Sequence, residues 1–285
     1  MAFPYAEVIG DPIAHSKSPL IHKFWLGKLE IDGDYRATRV SADELPSFLE
    51  ARRADPDWRG CNVTMPHKQT ILALSDWPAT PVSALGAANC VTRHESGRLK
   101  AHNTDWQGFL EPLQPWLRDD WRHRMASVLG AGGAAAAVTY ALDRSYFTVV
   151  NFARDPDKAL AMRTRLRLLD DDDDLVADME AVADGRELGD RSQMLDLLVN
   201  ATPLGMEGFP PLPFSVSSFP STTLVYDLVY HPLETDFLRA AREAGMATID
   251  GLSMLVAQAA FAFELFFFRA APRQYDPELR ELLTR

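Results

Sequence analysis

Residues 62–68, Asn-Val-Thr-Met-Pro-His-Lys, place a lysine where a strand is predicted to run into a helix. Thr64 would cap that helix, and Pro66 suits its first turn, where the N–H that proline lacks has no partner. Lys68 would lie beside the positive end of the helix dipole, which disfavours a further positive charge. Such a lysine can act as a general acid or base, although a solvated surface lysine is the simpler alternative. Asn62 and Thr64 share one strand face and would offer neutral hydrogen bonds to a small polyhydroxylated substrate.

Two serine hydroxyls precede the first predicted helix. In the loop of residues 11–19, Ser18 is expected at the N-cap with Pro19 at the first helical position. Capping accounts for Ser18 but leaves Ser16 unexplained. Because the N-terminal N–H groups and the helix dipole favour an anion, the two hydroxyls predict a site for a carboxylate.

A third polar cluster, Asn103-Thr104-Asp105, stands directly before another predicted helix. A β-hairpin is expected just upstream, with its turn at His94–Gly97 and its second strand around Leu99. Short polar side chains are typical of helix caps, so Asp105 taken alone is most simply a first-turn carboxylate. A catalytic interpretation of Asp105 therefore depends on the rest of the chain.

The middle of the chain carries a nucleotide-binding pattern. A buried-type strand at residues 126–129 is followed by Gly-Ala-Gly-Gly-Ala-Ala at 130–135 and by a predicted helix, which is the context that a G-x-G-x-x-A fingerprint requires. The next strand, 147–152, should end near the adenosine ribose. Arg154 follows it and favours NADP, since a basic group suits the 2′-phosphate, whereas the neighbouring Asp155 leaves NAD as an alternative.

Strands and helices alternate from about residue 126 to 251, which predicts an α/β fold with a doubly wound, parallel, Rossmann-like sheet. The residues before it predict a separate, smaller α/β lobe. The closing helices are too apolar to stand alone and should pack back on that first lobe. We expect a substrate-binding and catalytic domain at 1–105, to which 252–285 return, a nucleotide-binding domain at 106–251, and a ligand crevice between them.

Composition limits the classes of partner. The chain has 285 residues, 47% hydrophobic, with a formal net charge of −11 that argues against nucleic acid. Two cysteines and no evident signal peptide or membrane anchor favour the cytoplasm. The run Asp170–Asp174 is more typical of a solvated loop than of a metal site, so we expect no metal. A small-molecule substrate is expected, and the sequence leaves monomer and homodimer open.

The chain resembles the shikimate dehydrogenase family over nearly its whole length. Seven strings occur in the family's order, which makes the resemblance far more specific than any one motif. These strings are residues 10–19, 62–68, 103–105, 130–135, 200–206, 227–230 and 251–258.

The resemblance implies the reversible reduction of 3-dehydroshikimate to shikimate with NADPH, a step of aromatic amino-acid biosynthesis. It implies that Lys68 and Asp105 form the catalytic pair. The substrate-binding residues it implies are Ser16, Ser18, Asn62, Thr64, Asn89, Thr104, Tyr230 and Gln258. Those expected at the cofactor are Gly130, Ala131, Gly132, Gly133, Ala134, Arg154, Thr202, Gly251 and Met254.

The chain departs from the family's usual pattern in three places. The family usually has Thr at Cys90, Gly at Ala101, and Asn-Arg-Thr where this chain has Ala-Arg-Asp at 153–155. The first two bear on the shape of the pocket and the third on the choice of cofactor. One alternative is a quinate/shikimate dehydrogenase that uses NAD or NADP, or a paralogue for an amino analogue. The other is a non-catalytic nucleotide-binding paralogue, against which the intact Lys68 and Asp105 argue.

Overall fold

The chain forms two six-stranded sheets, one mixed and one parallel. The computed structural model describes residues 3–117, 124–167, 179–180 and 195–285. The chain divides into two compact units. Unit 1 comprises Met1–Thr104 and Gln258–Arg285, and unit 2 comprises Asp105–Ala257.

Unit 1 is built on a mixed sheet with the strand order β2-β1-β3-β5-β6-β4. Strands β1, β2 and β3 run parallel, whereas β5 and β6 form the predicted antiparallel hairpin beside β3. The strands are β1 (Tyr5–Gly10), β2 (Asp34–Arg39), β3 (Trp58–Val63), β4 (Trp77–Pro78), β5 (Cys90–Arg93) and β6 (Leu99–His102). The helices before unit 2 are α1 (Ser18–Lys28), α2 (Leu45–Arg53), α3 (Thr70–Leu74) and α4 (Val82–Leu85).

Apolar side chains cover both faces of the unit 1 sheet. All six residues of β1 are buried, as expected for a central parallel strand. Glu7 is the charged exception in β1, and Arg52 Nε reaches its carboxylate at 2.7 Å. On one face Ala6 and Val8 pack with Phe266 from the C-terminal part of the chain. The apolar closing helices thus return to unit 1, as predicted.

Unit 2 is built on a sheet in which every pair of neighbouring strands is parallel, in the order β12-β11-β10-β7-β8-β9. Its carboxyl ends bring the loops after β7, β10 and β11 to one edge. The strands are β7 (Met125–Leu129), β8 (Thr148–Phe152), β9 (Met179–Glu180), β10 (Leu195–Asn200), β11 (Leu224–Asp227) and β12 (Thr248–Ile249). The helices that follow α4 are α5 (Asp105–Leu113), α6 (Gly133–Asp143), α7 (Pro156–Arg167), α8 (Asp236–Glu243), α9 (Gly251–Phe267) and α10 (Asp276–Thr284).

The α/β class, the doubly wound parallel sheet and the separate first lobe are confirmed. Residues 170–174, the aspartate run, lie outside the described residues. None of the helices in the described ranges combines the length and apolarity that a bilayer crossing needs.

Two helix starts differ from prediction. Residues 65–69 form turns and α3 begins only at Thr70, so Thr64 does not cap it and Lys68 precedes it. Two contacts hold this turn: the His67 N–H donates to the nearby Thr64 carbonyl at 2.9 Å, and the buried His67 ring bonds the carbonyl of Val40, distant in the sequence, at 2.7 Å. Similarly, Ser18 is the first residue of α1 rather than its N-cap, which is Lys17.

Candidate active site

A buried cluster of neutral polar side chains lies in unit 1. Asn89 Nδ2 donates to Thr104 Oγ1 at 2.9 Å and to Gln258 Oε1 at 3.3 Å. The Asn89 side-chain oxygen accepts the Thr104 N–H at 2.7 Å, and Thr104 Oγ1 donates to Gln258 Oε1 at 3.4 Å. Since buried polar groups cost free energy unless they are hydrogen-bonded, this arrangement is a built network rather than a chance of packing.

Asn62 extends the network from the neighbouring strand. It lies on β3 and is 6% exposed, and its Nδ2 donates to the Asn89 carbonyl at 3.3 Å. Its Oδ1 accepts a 2.6 Å hydrogen bond from the Tyr35 hydroxyl. We call Asn62, Asn89, Thr104 and Gln258 the polar cluster; each of the four was predicted to bind substrate.

Tyr35 was not among the residues predicted to form the site, although the sequence carries a signal for it. It is the one aromatic residue of strand β2, and it is fully buried. A buried tyrosine needs a partner for its hydroxyl, so its position predicted a hydrogen bond that no local pattern could assign to Asn62. Burial raises the pKa of Tyr35 well above its ordinary value, and the phenol is therefore protonated.

Lys68 lies in the turn that follows β3. It is half-buried, and its carbonyl oxygen accepts the Ala88 N–H at 2.8 Å, which ties the turn to the residue before Asn89. Thr64, also half-buried, is held at the strand end because its N–H donates to the Ile9 carbonyl at 3.0 Å. The backbone of this segment is therefore anchored to its neighbours on two sides.

The two predicted serines do lie next to each other at the start of α1. Ser18 is buried and Ser16 is half-buried. The Ser18 N–H donates to Ser16 Oγ at 3.3 Å, so the Ser16 hydroxyl satisfies the first amide of α1. This bond gives Ser16 a structural role, and a carboxylate role for the pair stays a prediction.

In unit 2 the glycine-rich turn joins β7 to α6. Gly130 has φ of 116°, and a Cβ there would lie 3.1 Å from the Ala201 carbonyl oxygen, so glycine is required. Gly132 is the N-cap of α6 without a side-chain cap, and a Cβ built on it meets nothing within 4 Å. Ala135, in the place of the third glycine, is fully buried. The space beside Gly132 at the N-terminus of α6 is thus open, and helix N-termini favour a phosphate.

The loop after β10 is held by a second buried network. Asn200 Nδ2 donates to Asp227 Oδ1 at 2.9 Å and to the Leu204 carbonyl at 3.0 Å. The Thr202 hydroxyl donates to Asn200 Oδ1 at 2.6 Å, and Thr235 donates to Asp227 Oδ2 at 2.6 Å. Thr202 is therefore bound into its own loop.

The remaining predicted residues of unit 2 occupy distinct places. Asp105 is buried in the first turn of α5, and Tyr230 is half-buried in the turn after β11, where burial raises the pKa of its phenol. Gly251 begins α9 against the Leu228 carbonyl oxygen, 2.3 Å from where a Cβ would lie, and Met254 is buried one turn later. Arg154 is exposed beyond β8.

Comparison with known proteins decides the family. A sequence profile described as the shikimate dehydrogenase substrate binding domain matches residues 8–91. The shikimate dehydrogenase (NADP(+)) of Sphingopyxis alaskensis is 47% identical over 284 residues, which cover 99% of this chain and 98% of that protein. The chain belongs to the shikimate dehydrogenase family.

Solved structures of the family share the fold over the whole chain. The shikimate 5-dehydrogenase of Thermus thermophilus, solved with NADP(H) and shikimate, is 36% identical with a TM-score of 0.83, covering 99% of this chain and 100% of that one. The quinate dehydrogenase of Corynebacterium glutamicum, solved with NAD, is 30% identical with a TM-score of 0.87, covering 98% and 99%. The two-lobed α/β fold is therefore that of shikimate dehydrogenases.

The polar cluster of unit 1 suits an oxygen-rich ligand that hydrogen-bonds to neutral side chains. The polar cluster consists of amides and a hydroxyl. Lys68 is a cation in the turn that follows β3, the strand that carries Asn62. Within the described ranges, no group of three His, Cys, Asp or Glu side chains is arranged to hold a metal ion.

Proposed function

We propose that this protein catalyses the reversible reduction of 3-dehydroshikimate to shikimate with NADPH, in the biosynthesis of aromatic amino acids. The observation that carries the proposal is the polar cluster, a buried set of amides and hydroxyls matched to a polyhydroxylated ring. In this proposal unit 1 binds the substrate and unit 2 the cofactor.

Neutral side chains bind the substrate, and the one cation assigned to the site is Lys68. Ser16 and Ser18 bind its carboxylate at the N-terminal end of α1. Its hydroxyls are bound by the polar cluster with Thr64, and Tyr230 completes the pocket. Because these contacts exist before and during the reaction alike, they contribute to substrate affinity more than to the rate of the chemical step.

Lys68 and Asp105 carry the proton chemistry. As the ketone is reduced, negative charge develops on its oxygen, and Lys68 stabilises it with a hydrogen bond and then donates a proton. Asp105 orients Lys68 and offsets its charge. In the reverse direction Lys68 takes the proton from the shikimate hydroxyl.

The residues of unit 2 fit a dinucleotide. NADPH supplies the hydride. The open α6 N-terminus at Gly132 and Gly133 accommodates a pyrophosphate, with Ala131 and Ala134 beside it, and the positive φ of Gly130 makes the turn that allows this approach. Arg154, exposed at the end of β8, binds the 2′-phosphate. Thr202, Gly251 and Met254 border the nicotinamide end.

A dehydrogenase for quinate that uses NAD is the second candidate. The observation that favours it is Asp155, next to Arg154 and half-buried, because an acidic group at this place suits an unphosphorylated ribose. The similarity to a quinate dehydrogenase that was solved with NAD agrees with this alternative.

The test separates binding from turnover at Lys68. In Lys68→Met we expect kcat with shikimate and NADP to fall by about a thousandfold, the range of general acid catalysis, while calorimetric shikimate affinity changes only a few-fold. Lys100→Met, a half-buried lysine on β6, is the matched control and should keep both values. Full turnover by Lys68→Met, or an equal loss in Lys100→Met, would contradict the role of Lys68.

We also propose that the protein works in the cytoplasm, because Cys61 and Cys90 are free thiols, the state that a reducing compartment maintains. Monomer and homodimer remain alternative assemblies for this proposal.

A further inference from the structure

We propose that Tyr35 is a positioning residue that holds the side-chain amide of Asn62 in place, so that the remaining Nδ2 hydrogen of Asn62 is presented to the substrate. The inference deepens the proposed function and rests on it for the identity of the substrate. The juxtaposition that carries it is the 2.6 Å bond from the Tyr35 hydroxyl to Asn62 Oδ1.

The two ends of the Asn62 amide have different partners. Oδ1 accepts from the Tyr35 phenol, which burial keeps protonated, and Nδ2 donates to the Asn89 carbonyl at 3.3 Å. Turning the amide over would place Oδ1 against the Asn89 carbonyl oxygen, and two acceptors would face each other in a buried site. The Asn89 carbonyl therefore selects the orientation, and the Tyr35 phenol, which can accept as well as donate, holds the amide oxygen in that orientation.

Tyr35 is itself rigidly held. Its ring is fully buried and stacks on the His22 ring, with centroids 3.9 Å apart and planes 3° from parallel. Its backbone lies opposite Ala6 in the pairing of β1 with β2. Because the phenol cannot swing aside without breaking this stack, the hydroxyl defines a fixed point for Asn62.

One hydrogen of Asn62 Nδ2 remains for a ligand, since the described contacts use the other hydrogen. This hydrogen suits an acceptor on the substrate, such as a hydroxyl or carboxylate oxygen. By holding the amide in place, Tyr35 contributes to the affinity for such a substrate.

The test uses the low asparagine content of the chain. Asparagine occurs five times, so selective ¹⁵N-asparagine labelling gives five side-chain amide pairs in the spectrum, and Asn62→Ala identifies one of them. Tyr35→Phe is compared with Tyr5→Phe, which removes another buried phenol of unit 1, bonded at 2.7 Å to Asp55. Both substitutions delete one hydroxyl and leave the ring.

We expect Tyr35→Phe to shift the Asn62 amide pair and to raise the KM for shikimate about tenfold, with kcat within about twofold, because a bond of this kind acts equally in ground and transition states. Tyr5→Phe should do neither. An unmoved Asn62 pair, an unchanged KM, or the same KM rise in Tyr5→Phe would overturn the positioning role. Should Tyr35→Phe not fold, Asn62→Asp keeps the Tyr35 bond but loses the donor, and an unchanged KM there would overturn the claim.

Failure of the proposed function would look different. If the wild-type protein does not turn over shikimate, that function is wrong, and the amide spectrum alone decides whether Tyr35 positions Asn62: a shift of the Asn62 pair in Tyr35→Phe but not in Tyr5→Phe supports it, and no shift refutes it.

Discussion

Replacing His22 by Phe should flatten the acid sensitivity of the fold. His22 lies on α1, fully buried, with its ring stacked on Tyr35 and its edge toward Trp25. Neither ring nitrogen has a hydrogen-bond partner among the described residues. Burial lowers the pKa of His22 to about 3, because the charged imidazolium would lose its hydration without compensation.

The sign and size follow from linkage. In the unfolded chain a histidine titrates near 6.5, so below that pH the unfolded state binds a proton that the folded state does not. Stability supplied by neutral His22 is fully present above about pH 6.5 and is lost as the pH falls toward the folded pKa of about 3. At about pH 5 the loss is about 2 kcal/mol, at 1.36 kcal/mol for each pH unit below 6.5.

The assay is urea unfolding of wild type and His22→Phe between about pH 8 and pH 5. The larger Phe ring has its own packing cost, so the informative quantity is the change in the difference between the two proteins. We expect that difference to move by about 2 kcal/mol in favour of His22→Phe as the pH falls. His102, whose pKa burial lowers to about 4, is present in both proteins and cancels.

His15→Gln serves as the control for losing an exposed imidazole. Parallel stability curves for wild type and His22→Phe would refute the reasoning, since they would mean that folded His22 accepts a proton as easily as the unfolded chain does.

Two further variants test unit 2. Arg154→Ala should raise the KM for NADP about tenfold while sparing NAD, because only the 2′-phosphate loses a charged partner; equal effects on both cofactors, or the same effect in the neighbouring Lys158→Ala, would count against it. Burial raises the pKa of Asp227 to about 6, although Thr235, Val229 and Asn200 donate hydrogen bonds to its carboxylate. Between about pH 4 and pH 6 the folded state therefore retains a proton that the unfolded chain has lost, and the stability of the fold falls as the pH rises through that window. Urea unfolding should show wild type losing about 3 kcal/mol relative to Asp227→Asn between about pH 4 and pH 7, and a constant difference would refute this.

The sheets were predictable because their signals are local. A buried apolar run followed by glycines, as at β7 and Gly130, leaves few alternatives to a parallel strand and a tight turn. The hairpin of β5 and β6 was likewise marked by its Gly97 turn. Such patterns depend on neighbours within a few residues, and the structure confirms them.

The start of α3 was not predictable for the opposite reason. The segment from Thr64 to Lys68 carries good helix-start residues, yet His67 is drawn into a turn by the carbonyl of Val40, far away in the sequence. Tyr35 and Asn62 are likewise brought together only by the pairing of β2 and β3 with β1. Contacts made across the sheet, rather than residue type or spacing, decide these two features of the candidate site.

The central claim is tested most directly by the initial rate of nicotinamide reduction with shikimate and with quinate, each with NADP and with NAD. The account predicts rapid turnover of shikimate with NADP and slow turnover of every other combination. Comparable rates with quinate or NAD would contradict the biosynthetic assignment and support the second candidate, and no turnover of either acid would contradict the proposed function altogether.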